Sequence, residues 1–152
     1  MFNLTTPVTG AAQTGFTTPT YTLTADNNPG NNGKQWIVSA LGGTQVGVTS
    51  HSASDPFTVS VFKPLAYKVA AFVSTTIFKK PPRNQYQVIV RKGVTVNSNF
   101  PKDICIMKYY VDVPAGSESL DPANLRAMVS LMVGGLYQQS AGFGDSIVQN
   151  SI

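Results

Sequence analysis

The side chains able to do chemistry are few. His51 is the only histidine, Cys105 is the only cysteine, and the seven acidic residues are scattered. His51 lies in a serine-rich loop with no nucleophile motif near it, so it reads as an exposed loop residue rather than as part of a Ser-His-Asp or Cys-His constellation. An enzyme built on His51 would have one group to work with. No ligand spacing of the zinc or EF-hand kind exists, so neither a metal site nor a cofactor is expected. Gly42-Gly43 and Gly134-Gly135 lack the strand-to-helix context and the lysine of a phosphate-binding loop. Cys105 sits in the apolar run ICIM and reads as a small buried hydrophobe.

Basic and amide groups are better placed. Between Pro56 and Lys102 there is no acidic residue, while Lys63, Lys68, Lys79, Lys80, Arg83, Arg91, Lys92 and Lys102 supply eight positive charges. Alternation along the strand-like runs sorts these side chains by face. In AYKVAAFVSTT one parity carries Lys68, Ala70, Phe72, Ser74 and Thr76. In QYQVIVRK the corresponding parity carries Gln85, Gln87, Ile89 and Arg91, and in CIMKYYVDV it carries Ile106, Lys108, Tyr110 and Asp112. The other parity is largely apolar, with Val69, Ala71, Val73 and Thr75 on the first run. Cations neutralise phosphate, amides read base edges and rings stack on unpaired bases, so the mixed face suits RNA. Periodicity alone leaves open whether that face binds RNA or is simply solvated, and the lesser reading of the basic block is a set of ordinary surface lysines.

The elements that must position these groups follow from turn residues and spacing. TYTLTA (Thr20 to Ala25) and QWIVSA (Gln35 to Ala40) flank the turn-forming DNNPGNNGK, which predicts a hairpin within residues 1–50. FTVSVF (Phe57 to Phe62), AYKVAAFVSTTIF (Ala66 to Phe78), QYQVIV (Gln85 to Val90) and ICIMKYYVDV (Ile104 to Val113) are joined by polar links too short for parallel crossovers. An antiparallel meander over 56–114 is expected. Asp121 before Pro122 is an N-cap with proline at the first helical position, and Leu125, Met128, Val129, Met132, Val133 and Leu136 recur at helical spacing. Residues 121–152 are thus read as helical, broken from Ser140 to Gly144 before the amphipathic tail DSIVQNSI. Strands followed by helices give an α+β fold with helices on one sheet face.

At 152 residues, with 42% hydrophobic and 12% charged side chains, the chain fits one domain, 1–152, that folds. Charge is about half the usual share, so much of the surface is expected to be covered by other subunits. The net charge of +4 is consistent with a polyanionic partner. The N-terminus lacks a signal-peptide pattern and no run approaches the roughly 18 apolar residues of a membrane span. The expectation is a protein made and kept in a cytoplasm unless released by lysis, with no membrane and no small-molecule substrate.

Taken in order, AYKV, KKPPRNQYQVIVRK, YYVDVP, the helix after Asp121 and SAGFGDSIVQNSI resemble the coat proteins of single-stranded RNA bacteriophages, the levivirus type. The resemblance covers most of the chain. It implies an N-terminal β-hairpin, a five-stranded antiparallel sheet and two C-terminal helices interlocking with a second subunit, through Leu125, Met128, Val129, Met132, Val133 and Leu136. It further implies edge-to-edge joining of two sheets and an icosahedral shell packaging RNA, with Thr95 to Asp103 touching neighbours. Family members also bind an RNA hairpin and repress replicase translation. By position, Lys68, Phe72, Ser74, Thr76, Gln87, Arg91, Lys108 and Tyr110 would face RNA. Ile89, Ala70 and Ile106 depart from the family's lysine, hydroxyl and stacking tyrosine. The resemblance places the protein in the virion and, during assembly, in the host cytoplasm. The rival reading is a small cellular RNA-binding sheet domain that forms no shell.

Overall fold

A computed structural model describes residues 2–70 and 80–151. Six strands form one antiparallel sheet in chain order: β1 (Val8–Thr9), β2 (Thr17–Asp26), β3 (Gly33–Thr44), β4 (Phe57–Phe62), β5 (Arg83–Val94) and β6 (Asp103–Pro114). The expected hairpin is β2 and β3, but it belongs to the main sheet, because β3 pairs onward with β4 from Gly33 opposite Phe62 to Ile37 opposite Thr58. The ladder of β2 and β3 is irregular between Thr17 and Thr20. Gly43 sits there at φ +70°, with the carbonyls of Thr17 and Thr18 against the position a Cβ would take, so only glycine fits.

The predicted strand from Ala66 to Phe78 is corrected over its first five residues. Residues 66–70 follow irregular backbone, and the remainder up to Phe78 lies outside the described residues. The ladder passes from β4 straight to β5, with Phe57 opposite Lys92 and Phe62 opposite Gln87. What holds the 66–70 segment is Asn84 at the start of β5. Its Oδ1 accepts from the Lys68 N–H at 2.8 Å and its Nδ2 donates to the Lys68 carbonyl at 2.9 Å. Asn84 is almost wholly buried, so its amide substitutes for a neighbouring strand. Asn84→Ala would leave both Lys68 backbone groups unpaired and should cost about 2 kcal/mol in urea unfolding. An unchanged midpoint would show that water replaces the amide. Tyr67 donates its hydroxyl to Glu118, which also accepts from the Gly116 N–H at 2.9 Å. That hydrogen bond holds the tyrosine proton, raising its pKa to about 12, and draws the Glu118 pKa below the usual range.

Three helices end the chain: α1 (Ser117–Leu120), α2 (Pro122–Gln138) and α3 (Ser140–Gln149). Asp121 caps α2 by accepting from Asn124 N at 3.3 Å, with Pro122 in the first turn, as the sequence predicts. The expected break from Ser140 to Gly144 is narrower, since α3 starts at Ser140 and includes both Gly142 and Gly144. Contacts from the N-terminal arm hold that start: Gln13 Nε2 donates to Ser140 O at 2.8 Å and Thr14 Oγ1 to Asp145 Oδ2 at 2.7 Å.

Burial is lopsided. Trp36, Val38, Ile89 and Ala115 make up the fully buried apolar set among the described residues, whereas α2 and α3 contain no buried residue. The expectation that the helices cover one face of their own sheet is therefore corrected. Cys105 is exposed rather than buried, because it lies on β6, the terminal strand of the sheet order, with a neighbouring strand on one side only among the described residues.

Candidate nucleic-acid interface

Register decides which side chains share a face. Residues directly opposite each other in an antiparallel ladder project to the same side. One row across the sheet runs Asp26, Gln35, Ser60, Ile89, Lys108; the next runs Thr24, Ile37, Thr58, Arg91, Ile106; a third runs Gly33, Phe62, Gln87, Tyr110. The mixed parities of β5 and β6 do therefore fall together, and β2, β3 and β4 extend the same face.

Its polar groups are wired to one another. Arg91 Nη1 donates to Ser60 Oγ at 3.0 Å, Ser60 Oγ to Gln35 Oε1 at 2.8 Å, and Gln35 Nε2 to Asp26 Oδ2 at 2.7 Å. At the other end of the face, Gln87 Nε2 donates to Gln85 Oε1 at 2.8 Å and Gln85 Nε2 to Asp112 Oδ1 at 3.0 Å. The Gln35 amide is the main cause that holds the Asp26 carboxyl below its ordinary pKa. Such chaining fixes rotamers before a ligand arrives. Arg91 spends one of its five guanidinium donors on Ser60. Lys108 and Tyr110 are exposed beside it.

Gln87, Arg91, Lys108 and Tyr110 are thus brought together, as the alternation predicts. Lys68 is exposed but off the strands, carried by the segment that Asn84 clasps. Phe72, Ser74 and Thr76 lie outside the described residues. Gln35 and Ser60 lie outside the sequence-derived set, because the sequence reading places Gln35 in a separate hairpin and does not sort FTVSVF by face. The alternation of FTVSVF, with Thr58 and Ser60 on one parity, is the signal that could have found them.

The basic block is partly neutralised from within. Asp55, one residue before it, takes Lys92 Nζ on Oδ1 and Lys102 Nζ on Oδ2, both at 2.5 Å, and accepts from the Thr49 hydroxyl. Those bonds, led by the one from Lys102, hold its carboxyl far below the usual carboxylate range. Two of the eight block cations pair with this one carboxylate, whose single charge neutralises one of them.

The opposite face is apolar and only partly covered, with Trp36 and Val38 buried and Met107 exposed. Trp36, Val59, Val90 and Met107 form one row across it, and a cavity of 480 Å³ is lined by Leu4, Leu23, Val38, Val59, Val88 and Met107, among others. Met128, Val129, Met132, Val133 and Leu136 of α2 are also exposed. Leu125 is half-buried. Among the described residues no cluster of His, Cys, Asp or Glu could hold a metal, and no helix is long and apolar enough to cross a membrane.

A polar, pre-wired sheet face with a partly uncovered apolar face and unburied helices defines a subunit of an assembly. The chain is similar over its whole length to the protein of a virus-like particle of bacteriophage ESE020, at 44% identity, 100% coverage of both chains and a TM-score of 0.97. The chain belongs to the coat proteins of single-stranded RNA bacteriophages; its work is structural, and it is not an enzyme. A virus-like particle of Wenzhou levi-like virus 4 is a remote match, at 13% identity over 79% of this chain and 72% of that one, with a TM-score of 0.42. No protein-family model and no curated protein matches.

Proposed function

We propose that two copies of this chain interlock through α2 and α3, that the resulting dimers close into an icosahedral shell, and that the polar sheet face holds packaged single-stranded RNA. The observation that carries this reading is the unburied apolar helix face, Met128 to Leu136, in a chain whose sheet also leaves an apolar cavity open. Patches of that kind are stable in water only when covered, and a second copy supplies a matching pair of surfaces in a self-complementary contact. β6 strengthens the argument. It is twelve residues long and pairs on one side only among the described residues, so a two-fold related β6 would join two sheets edge to edge.

In this reading Lys68, Arg91 and Lys108 neutralise phosphates, Gln87 reads base edges, and Tyr110 stacks; Phe72, Ser74 and Thr76 are carried as further contacts by family position. Binding to an RNA hairpin at the replicase start, with repression of its translation in the host cytoplasm, belongs to the same proposal. Size exclusion, negative-stain microscopy and absorbance at 260 and 280 nm after nuclease treatment test it together. Uniform shells with protected RNA are expected. Small, nucleic-acid-free oligomers that stay small when RNA is added would overturn it. Lys108→Ala should flatten the salt dependence of RNA affinity by roughly one unit of slope or less, as for loss of one phosphate contact. An unchanged slope would remove Lys108 from the interface.

A further inference from the structure

β6 is a free edge of the sheet among the described residues, and its charges are few. Asp103, Lys108 and Asp112 are its ionised side chains. Lys108 and Asp112 are both exposed and lie on the polar face, with Tyr110 midway between them. Four residues of extended strand hold their Cα atoms about 13 Å apart, too far to pair within one chain. Among the described residues the ion pairs are those of Asp55, and neither Lys108 nor Asp112 takes part in one. Asp112 accepts from Gln85 Nε2 on Oδ1 at 3.0 Å, and Arg83 reaches its backbone carbonyl rather than its carboxylate. One edge strand thus displays a cation and an anion, symmetrically placed about Tyr110, that its own chain does not match.

A two-fold axis turns a strand against its own copy in the antiparallel sense. We propose that two copies of β6 pair in the register centred on Tyr110, with Lys108 of each chain opposite the partner's Asp112 and the two Tyr110 side chains opposite each other on the axis. The inference rests on the reading that the sheets join edge to edge, and it fixes the register of that join. No other two-fold register sets Lys108 against Asp112. An axis at Lys108 or at Asp112 would put like charges directly opposite, which destabilises a ladder, whereas opposite charges support it. On the other face the same register sets Tyr109 against the partner's Val111 and Met107 against the partner's Val113, so the apolar and polar faces both run on across the join. An ammonium bonded to one carboxylate keeps two N–H groups, and Lys108 therefore still offers donors to a phosphate.

Disulfide trapping tests the register. In a Cys105→Ala background, Tyr110→Cys should give a covalent dimer under mild oxidation, because directly opposite side chains have Cβ atoms about 5 Å apart. Lys108→Cys alone and Asp112→Cys alone should give none, since each would sit about 13 Å along the strand from its own copy. The double variant Lys108→Cys/Asp112→Cys should crosslink, and it decides the matter should Tyr110→Cys fail to fold. Covalent dimers from either single variant at 108 or 112 would overturn the register and leave edge-to-edge joining in place. Dimers by sedimentation without a crosslink in any variant would overturn edge pairing through β6. A wild-type chain that sediments as a monomer would overturn the dimer and the register together. Charge reversal gives an independent reading. Lys108→Asp sets carboxylate against carboxylate at two symmetric places and should weaken dimerisation about tenfold, and adding Asp112→Lys should restore it. A double variant as weak as the single one would overturn the pair.

Discussion

Met132→Asp should leave the purified chain unable to form dimers or shells. Met132 lies on α2 in the exposed apolar series Met128, Val129, Met132, Val133 and Leu136, and each such side chain contributes about 1.5–3 kcal/mol when it passes from water to a packed contact. A carboxylate placed there must either be buried without a partner, at a cost of several kcal/mol, or prevent the contact. Leu125→Asp should act in the same direction, although Leu125 is already half-buried within its own chain, so that variant also perturbs the subunit. Analytical ultracentrifugation at fixed protein concentration is the appropriate measurement, because the extent of association depends on concentration. Normal dimers and normal particles from Met132→Asp would show that another surface joins the subunits.

Asp55→Asn should carry the next largest penalty, about 3 kcal/mol, at the lower end of the range for removing one partner of a buried ion pair because both lysines remain partly exposed. Asp55 is buried and holds Lys92 of β5 and Lys102 of the segment leading into β6. Without its charge, two ammonium groups face each other, and the 95–102 segment loses its tie to the sheet. The pH dependence has a definite sign. The folded carboxyl titrates well below the ordinary value, so its stabilisation is present above the unfolded pKa of about 3.9 and is lost as pH falls below that. Asp26 and Glu118 have lowered pKa values too, so the wild-type chain weakens in acid through all three. The difference between wild type and Asp55→Asn in urea unfolding should therefore shrink between neutral pH and about pH 3. A constant difference across that range would mean that the Asp55 charge contributes nothing.

The local elements were legible in the sequence because their causes are local. Asp121 and Pro122 start a helix by supplying a cap and a preset φ, and α2 begins there. Alternation in QYQVIVRK and CIMKYYVDV sorted Gln87, Arg91, Lys108 and Tyr110 to one side, since a strand's two-residue period needs no knowledge of its neighbours. The observed register of β5 against β6 keeps them together.

Partner choice among strands is a tertiary matter. AYKV has the alternation of a strand, yet residues 66–70 hang from the buried amide of Asn84 while β4 pairs directly with β5. Asparagine is unfavourable in strand interiors, and that was the one hint. The Asp55 clasp was likewise hidden, because it draws in residues 37 and 47 positions away, and charge counting along the chain cannot pair them. Burial was misjudged for the same reason: apolar spacing shows that α2 has a face to hide, but only the three-dimensional arrangement shows that its own sheet does not hide it. Periodicity encodes what a side chain needs, whereas the fold decides which surface meets the need, and for this helix face the fold of the single chain leaves the need unmet.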